Sequence, residues 1–395
     1  MNQNKSVKIR FKGFTEAWEQ RELNTAATFL NGRAFSQSEL LSKGEYPVLR
    51  VGNFYTNDKW YFSDLVLPEK FYANKGDLLY TWSATFGPHI WEGDKVIYHY
   101  HIWKLLLGKD TDKTFLLSLL QRDRETLLHG SNGSTMIHIT KQAMEAKKLF
   151  FPRSQEEQRQ IGSFFKTIDK AITLHQRKLN RFQKIRTTFL QKMFPKNGET
   201  KPAIRLTGFN ADWEQEKLQN FAVRITRKNI KKQNNRPLTI SAQHGLVDQT
   251  VYFNNRVAAQ DVSNYYLIKK GEFAYNRSTS KDAPVGAVRR LVDYEEGVLS
   301  TLYLVFSITD PQHVDLNYLS YFFETTGWHS WILERAAEGA RNHGLLNVSS
   351  QDFLSLPVML PSSLEEQQKI GEFFQKIDDC IILLERQADL LKQIK

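Results

Sequence analysis

The segment SQEEQRQIGSFFKTIDKAITL (Ser154 to Leu174) returns 209 positions later as SLEEQQKIGEFFQKIDDCIIL (Ser363 to Leu383). A second repeat lies upstream of each copy. IRFKGFTEAWEQREL (Ile9 to Leu23) is matched 195 positions later by IRLTGFNADWEQEKL (Ile204 to Leu218), with eight of fifteen residues identical. The segments between the matched blocks are barely alike. The pattern indicates an internal duplication in which a repeated scaffold carries two diverged inserts.

Both copies of the later block carry an apolar stripe in alternating steps of three and four residues. In the first copy the stripe runs through Ile161, Phe165, Ile168, Ile172, His175, Leu179, Phe182, Arg186, Phe189 and Met193. In the second it runs through Ile370, Phe374, Ile377, Ile381, Leu384, Ala388 and Leu391. Only His175 and Arg186 interrupt its apolar character. Such spacing over several heptads predicts two coiled-coil seams.

Polar residues mark the start and one flank of these helices. Ser154 with Glu157, and Ser363 with Glu366, have the spacing of a capping box, in which the serine and glutamate side chains satisfy backbone amides of the first turn. The pair Asp378-Asp379 lies beside the second seam, and we interpret it as a solvated face.

Two matching seams in one chain favour pairing of the two helices with each other. The predicted fold class is α+β, with two globular domains separated by two long helices that form an antiparallel intramolecular coiled coil, pseudo-twofold because of the duplication. The predicted boundaries are 1–149 and 199–356 for the globular domains, and 150–198 and 357–395 for the helical segments. A coiled coil between two copies of the chain is the alternative interpretation.

The inserts have the pattern of short strands joined by turns, with few helices. Strands are predicted within EYPVLRVGNF, GDLLYTW and HIWKLLL in the first insert, and within RPLTISAQ, GEFAYNRS, APVGAVRRLV and TLYLVFSI in the second. Helices are predicted over Thr114 to Leu128 and over Leu316 to Ala336. Each insert is therefore expected to form an α+β domain.

The charge of the chain points to a polyanionic partner, since 54 Lys and Arg against 43 Asp and Glu give a formal charge of +11. On the predicted turns, Lys and Arg can hold phosphates, and Arg, Asn and His can pair with base edges. Candidate DNA contacts in the first insert are Arg33, Asn53, Trp82, Ser83, Asn132 and Ser134. Those in the second are Arg227, Lys228, Asn276, Arg277, Arg341 and Asn342. For any single run, a solvated loop is the alternative.

Motifs for catalysis or metal binding are weak. The sequence has no G-x-x-x-x-G-K-[ST] loop, and its single cysteine, Cys380, argues against a cysteine-rich zinc site. His99-Tyr-His101 would place two imidazoles on one face of a strand, which we interpret as structural or phosphate-facing. Glu145 and Lys147 match the tail of a nuclease motif that has no counterpart in the second copy. We therefore expect no catalytic or metal-binding residue.

No stretch approaches the length of an apolar membrane span, and the first residues lack the apolar core of a signal peptide. We expect a cytoplasmic protein.

The repeated blocks together resemble the specificity subunits of type I restriction–modification systems, over essentially the whole chain. The resemblance is carried by the W-E-Q-x-x-L openings (Trp18 to Leu23, Trp213 to Leu218) and by the twin E-E-Q-x-x-I-G-x-F-F-x-x-I-D blocks (Glu156 to Asp169, Glu365 to Asp378). One departure from the pattern is the second helix, which ends about two turns before the position equivalent to Met193.

The resemblance implies a function in which two target-recognition domains each read one half of a split, asymmetric sequence in double-stranded DNA. The helices would set the spacing between the half-sites and dock two modification (methyltransferase) subunits, and we expect this role for Phe165, Ile168, Ile172, Phe374, Ile377 and Ile381. S-adenosylmethionine would be bound by the modification subunits. ATP and Mg²⁺ would serve the restriction (translocase and nuclease) subunits, so this chain needs no cofactor. The alternatives are a protein-interaction scaffold with a basic surface and an orphan nuclease.

Overall fold

The computed structural model of the chain describes residues 9–55, 57–83, 85–130, 139–196, 198–241, 245–255, 257–336 and 344–395. The chain divides into two compact units, unit 1 (Met1–Leu174 with Leu390–Lys395) and unit 2 (His175–Asp389). This division cuts each long helix, so it does not test the four segments predicted from the sequence. No helix in the described ranges is long and apolar enough to cross a membrane.

Unit 1 mixes short strands with a few helices. Its strands are β1 (Glu19–Glu22), β2 (Ala27–Asn31), β3 (Tyr46–Leu49), β4 (Tyr61–Ser63), β5 (Tyr72–Ala73), β6 (Leu78–Thr81), β7 (Gly87–Ile90), β8 (Val96–Tyr98), β9 (Ile102–Leu107) and β10 (Lys148–Phe151). Its helices are α1 (Leu23–Ala26), α2 (Lys113–Gly130), α3 (Lys141–Glu145) and the first part of α4 (Gln155–Lys192). The three predicted strand segments and the first predicted helix are confirmed.

Unit 2 repeats this plan. Its strands are β11 (Glu214–Lys217), β12 (Ala222–Ile225), β13 (Leu238–Ser241), β14 (Gly245–Asp248), β15 (Tyr266–Lys269), β16 (Phe273–Asn276), β17 (Ala287–Arg290), β18 (Glu296–Leu299), β19 (Leu304–Ile308) and β20 (Pro357–Leu360). Its helices are the rest of α4, α5 (Gln249–Phe253), α6 (Leu316–Phe322), α7 (His329–Arg335), α8 (Ser350–Leu354) and most of α9 (Leu364–Ile394). The four predicted strand segments are confirmed.

The two units share a sheet topology that their divergent sequences conceal. Unit 1 contains an antiparallel sheet in the order β2-β9-β6-β7, and unit 2 contains one in the order β12-β19-β16-β17. In each sheet the first strand pairs with the strand that precedes the next helix along the chain. These are β2 with β9 before α2, and β12 with β19 before α6. Pairing β5 with β8 has its counterpart in pairing β15 with β18. The inserts therefore diverged in sequence while keeping one core arrangement.

The second predicted helix is wrong as a single element, because the chain from Leu316 to Ala336 forms two helices, α6 and α7. Between them the backbone tightens, with the amides of Glu324 and Thr325 donating to carbonyls three residues back. Buried Trp328 donates its ring N–H to the carbonyl of Phe323 at 3.1 Å. Thr325-Thr326-Gly327 has poor intrinsic helix propensity, so this side-chain bond and the local sequence favour the same break.

The two long helices pair in antiparallel fashion, which confirms the predicted fold class. In unit 2, Arg186 of α4 forms an ion pair with Asp378 of α9. In unit 1, Asp169 of α4 accepts a hydrogen bond from Lys395 at 2.6 Å. From the first pair to the second, the α9 residue lies 17 positions later in the sequence and the α4 residue 17 positions earlier, as antiparallel pairing requires. Every stripe residue of both helices is buried or half-buried.

Candidate nucleic-acid interface

The W-E-Q openings and the E-E-Q blocks meet through a buried carboxylate in each unit. In unit 1, Glu157 accepts two hydrogen bonds from the Arg10 guanidinium, at 2.6 and 2.8 Å, and one from the Trp18 ring N–H at 3.2 Å. Its side chain is only 1% exposed. The hydrogen bond to Glu157 is the main reason that the pKa of Arg10 is raised above its ordinary value.

Unit 2 repeats this arrangement. Glu366, also 1% exposed, accepts from the Arg205 guanidinium at 2.7 and 2.8 Å and from the Trp213 ring N–H at 3.4 Å. The predicted capping boxes are therefore wrong in their reciprocal half, because both glutamates bind distant residues. Ser154 does accept from the Glu157 amide, at 3.4 Å.

The glutamine after each of these glutamates joins three backbone groups. The side chain of Gln158 donates to the carbonyls of Pro152 and Asp110 at 2.9 and 3.1 Å, and accepts from the amide of Asp112 at 2.9 Å. Gln367 makes the same three bonds to Pro361, His313 and Asp315. Each glutamine thus connects the start of a long helix to the segment that begins the helix after the central sheet.

The glycine of each I-G-x-F-F motif lies where a longer helix residue would collide with the neighbouring helix start. A Cβ added to Gly162 would lie 2.3 Å from the Thr114 hydroxyl and 2.4 Å from the Phe115 amide nitrogen. A Cβ added to Gly371 would lie 2.7 Å from the Asn317 Cβ. Glycine permits this close approach because it has no side chain.

In unit 1, three of the predicted DNA contacts, Arg33, Trp82 and Asn53, bond to the segments that form a crevice. These segments follow β3 and β8. Arg33 forms an ion pair with Glu39 at 2.6 Å, and its backbone bonds to Tyr98 and Tyr100. Trp82 donates its ring N–H to the Tyr100 carbonyl at 2.9 Å. These bonds position the turn between β8 and β9.

Asn53 shapes the opposite wall of the crevice. Its amide oxygen accepts from the Arg50 backbone at 3.0 Å, and its amide nitrogen donates to the carbonyls of Asn57 and Lys59 at 3.1 Å. Ser83, the fourth predicted contact that can be placed, is buried. Arg33, Trp82 and Asn53 therefore bond within the protein, and the role of the unit 1 residues in DNA contact stays a prediction.

The crevice itself is lined by Arg50, Val51, Gly52, Asn57, His99 and His101. The Arg50 guanidinium lies over the Tyr61 ring, 5.2 Å from its centroid, and no carboxylate in the described ranges is within ion-pair distance of it. The rings of His99 and His101 are 5.0 Å apart. His99 forms an isolated β-bridge with Arg33 and His101 lies on the turn that follows, so the prediction that they share a strand face is wrong. Nothing in the sequence marked Arg50 or Asn57, since a turn brings them to this site.

Two histidines near the crevice are held neutral. Burial, followed by the charges of His101 and Arg50, lowers the pKa of His99 to about 4. Burial, followed by the charge of Arg124, lowers the pKa of His89 to about 4. Both imidazoles are uncharged at neutral pH, so Arg50 contributes a positive charge to the crevice and the neutral ring of His99 contributes a hydrogen-bonding edge.

In unit 2, the four predicted contacts that can be placed bond within the protein. Arg227 donates to both carboxylate oxygens of Glu272 at 2.8 Å, and Lys228 donates to a backbone carbonyl at 2.8 Å. The side chain of Asn276 accepts from a nearby amide at 3.0 Å, and Arg277 donates to two backbone carbonyls at 3.0 and 3.1 Å. These bonds hold the turns, and the role of the four residues in DNA contact stays a prediction.

Two exposed lysines of unit 2, Lys231 and Lys281, lie on turns near the predicted contacts in the sequence. Buried Asn229 donates to the Asn234 carbonyl at 2.7 Å and presents Lys231 to solvent. Lys281 is exposed on the turn after β16. Within the described ranges neither lysine is within ion-pair distance of a carboxylate. Asn132, Ser134, Arg341 and Asn342 lie outside the described residues.

The residues that suggested a nuclease have structural partners. Lys147 pairs with Asp123 at 2.6 Å, and Glu145 lies 3.5 Å from Lys141 on the same short helix. Across the ranges that the structure describes, no group of three or more His, Cys, Asp or Glu residues could hold a metal ion.

Two matches to one family model identify the class of this protein. Residues 15–184 and 210–393 each match the family model described as "Type I restriction modification DNA specificity domain". These matches cover most of the chain, and the chain therefore belongs to this family. It is a type I restriction–modification specificity subunit with two DNA specificity domains. No curated protein matches the chain.

Among solved structures, the chain is similar to the type I restriction–modification S subunit from M. genitalium, with a TM-score of 0.62 at 14% identity. That likeness covers 98% of this chain and 96% of the other. The HsdS subunit from Thermoanaerobacter tengcongensis matches with a TM-score of 0.45 at 13% identity, over 95% of this chain and 94% of the other. At 14% identity the first likeness supports the fold alone.

Proposed function

We propose that this chain reads a bipartite, asymmetric DNA site, with one half read by each unit. The observation that carries the proposal is that two units with one sheet topology and unlike loops are attached to identical scaffold contacts. A duplicated scaffold with diverged loops suits two readers of different sequences, because base readout depends on loop side chains.

The first half-site would contact the crevice of unit 1. Arg50 would hold a backbone phosphate, and Asn57 with the imidazoles of His99 and His101 would offer donors and acceptors. In unit 2, Lys231 and Lys281 would meet phosphates, alongside the predicted contacts Arg227, Lys228, Asn276, Arg277, Arg341 and Asn342.

Two modification subunits would dock on the outer faces of the long helices. Leu174 and Leu383 occupy equivalent positions in the two repeats and are 53% and 55% exposed. Exposed apolar side chains on a helix favour a protein partner, and equivalent positions favour two copies of it. We expect Leu174→Asp and Leu383→Asp each to remove one modification subunit from the complex, counted by native mass spectrometry.

The chain itself would be non-catalytic and cofactor-free. S-adenosylmethionine would bind to the modification subunits, ATP and Mg²⁺ would serve the restriction subunits, and the assembly would act on DNA in the cytoplasm. The purified chain with Mg²⁺ should therefore leave duplex DNA uncut.

The decisive experiment uses the complex with modification subunits and three duplexes. One duplex carries both half-sites found by sequencing methylated DNA from cells with the system, and the others have one half scrambled. We expect methylation of the first duplex alone. Equal methylation of all three would contradict the proposed function.

A further inference from the structure

The coiled-coil seam of α4 is interrupted by a charge that the structure places in a cluster. Arg186 forms ion pairs with Asp378 of α9 and, at 2.7 Å, with Glu324, which follows α6 in the variable part of unit 2. Asp378 also accepts from the Tyr321 hydroxyl at 3.0 Å. Arg186 and Asp378 are 23% and 25% exposed, so the prediction that Asp378 lies on a solvated face is wrong. Asp379 is exposed, as expected.

The cluster is set among apolar contacts of the seam. One turn along α4, the ring of Phe189 meets the ring of Phe373 at 5.0 Å. Burial acts to lower the pKa of Arg186, but the hydrogen bond to Asp378 and the charges of both carboxylates outweigh it and raise the pKa. A slide of one helix by one turn would set this cation against Phe374 or Ile381. The cluster therefore favours one register of the helix pair.

The duplication provides a natural comparison. Arg186 and Asp378 lie 209 positions from Lys395 and Asp169, respectively, and these two also pair, at 2.6 Å. That second pair is more exposed, at 32% and 36%. In the part of the chain that the structure describes, no further charged group is within ion-pair distance of it. Gln121, nine residues after the capping Asp112, stands where unit 2 has Glu324, nine residues after the capping Asp315.

We infer that Arg186 is a positioning residue that fixes the helix register, ties it to the variable part of unit 2, and so sets the number of base pairs between the half-sites. This inference rests on the proposed function. One helical turn spans about 5.4 Å, whereas one base pair advances a duplex by about 3.4 Å. A register error of one turn therefore exceeds one base pair.

The test measures methylation rates on duplexes that carry both half-sites at the natural spacing, and at spacings one or two base pairs longer or shorter. The complex carries wild-type chain, Arg186→Met or the matched control Lys395→Met. The ratio of the rate at natural spacing to the rate at one base pair away should fall by about tenfold for R186M, a loss of roughly 1.4 kcal/mol in discrimination. It should stay within about twofold for K395M, because an exposed pair contributes little.

A merely structural role would lower all rates together and leave this ratio unchanged, and that result for R186M would overturn the inference. If R186M does not assemble, Glu324→Leu, which keeps the helix-to-helix pair but removes the bond between Arg186 and the segment after α6, should also lower the ratio. An assembled E324L complex with the wild-type ratio would overturn the inference equally. Loss of dependence on either half-site in the wild-type complex would instead reject the proposed function.

Discussion

Gln158 offers a sharp test of how the scaffold is held. Gln158→Leu places an apolar side chain of similar size in the buried site and removes three hydrogen bonds. Asp110 is exposed, so water can satisfy its carbonyl, whereas the Pro152 carbonyl is in a buried residue and the Asp112 amide is half-buried. Two backbone groups left without partners cost about 3 kcal/mol in total.

For a unit of this size, the loss should lower the midpoint of thermal unfolding by about 6–12 °C. Differential scanning calorimetry or circular dichroism would measure it. Gln367→Leu removes the same three bonds from unit 2 and should behave alike. The matched control is Gln375→Leu on the exposed side of α9, where the amide donates to Asp379, with an expected change within about 0.5 kcal/mol. A midpoint for Q158L no lower than that of the control would refute the argument.

Three further outcomes are expected. Gly162→Ala should destabilise the protein by about 1–3 kcal/mol in chemical denaturation, because its Cβ would collide with Thr114; Ser163→Ala, an exposed neighbour, should not. Arg50→Ala should reduce the slope of log affinity against log salt by about one and weaken all duplexes alike, as loss of a phosphate contact does; an unchanged slope would count against that contact. Because the pKa of His89 is lowered to about 4 in the folded state, the unfolded chain binds the extra proton as the pH falls from about 6.5. The free energy of unfolding should therefore decrease from pH 6.5 to 4, and less steeply in His89→Phe; equal slopes for both proteins would contradict this.

The sequence alone was sufficient for the architecture, because the long helices carry their own periodicity. The stripe from Ile161 to Met193 requires no knowledge of the rest of the chain, since 3–4 spacing defines one helix face. Short strands such as β16 and β19 were found in the same way, from local apolar runs between turns. The single helix expected over Leu316 to Ala336 failed because a buried tryptophan bond and a weak local propensity acted together.

The roles of polar residues were decided by the tertiary structure. Glu157 and Glu366 have the spacing of helix caps, yet they bind arginine and tryptophan side chains more than 130 positions away. Arg33 and Arg227 are predicted DNA contacts, and only the fold shows that each also pairs with a carboxylate of its own unit.

Periodicity determines which face of a helix or strand is buried, because that property is local to the element. A charged or amide side chain has no such signal. Whether it meets a phosphate, a carboxylate or a backbone amide depends on which distant segments the fold brings within about 3 Å of it. The duplicated scaffold and the seams could therefore be predicted from the sequence. The fold was needed to show which polar groups hold that scaffold together and which, like Arg50, have no carboxylate within ion-pair distance among the described residues.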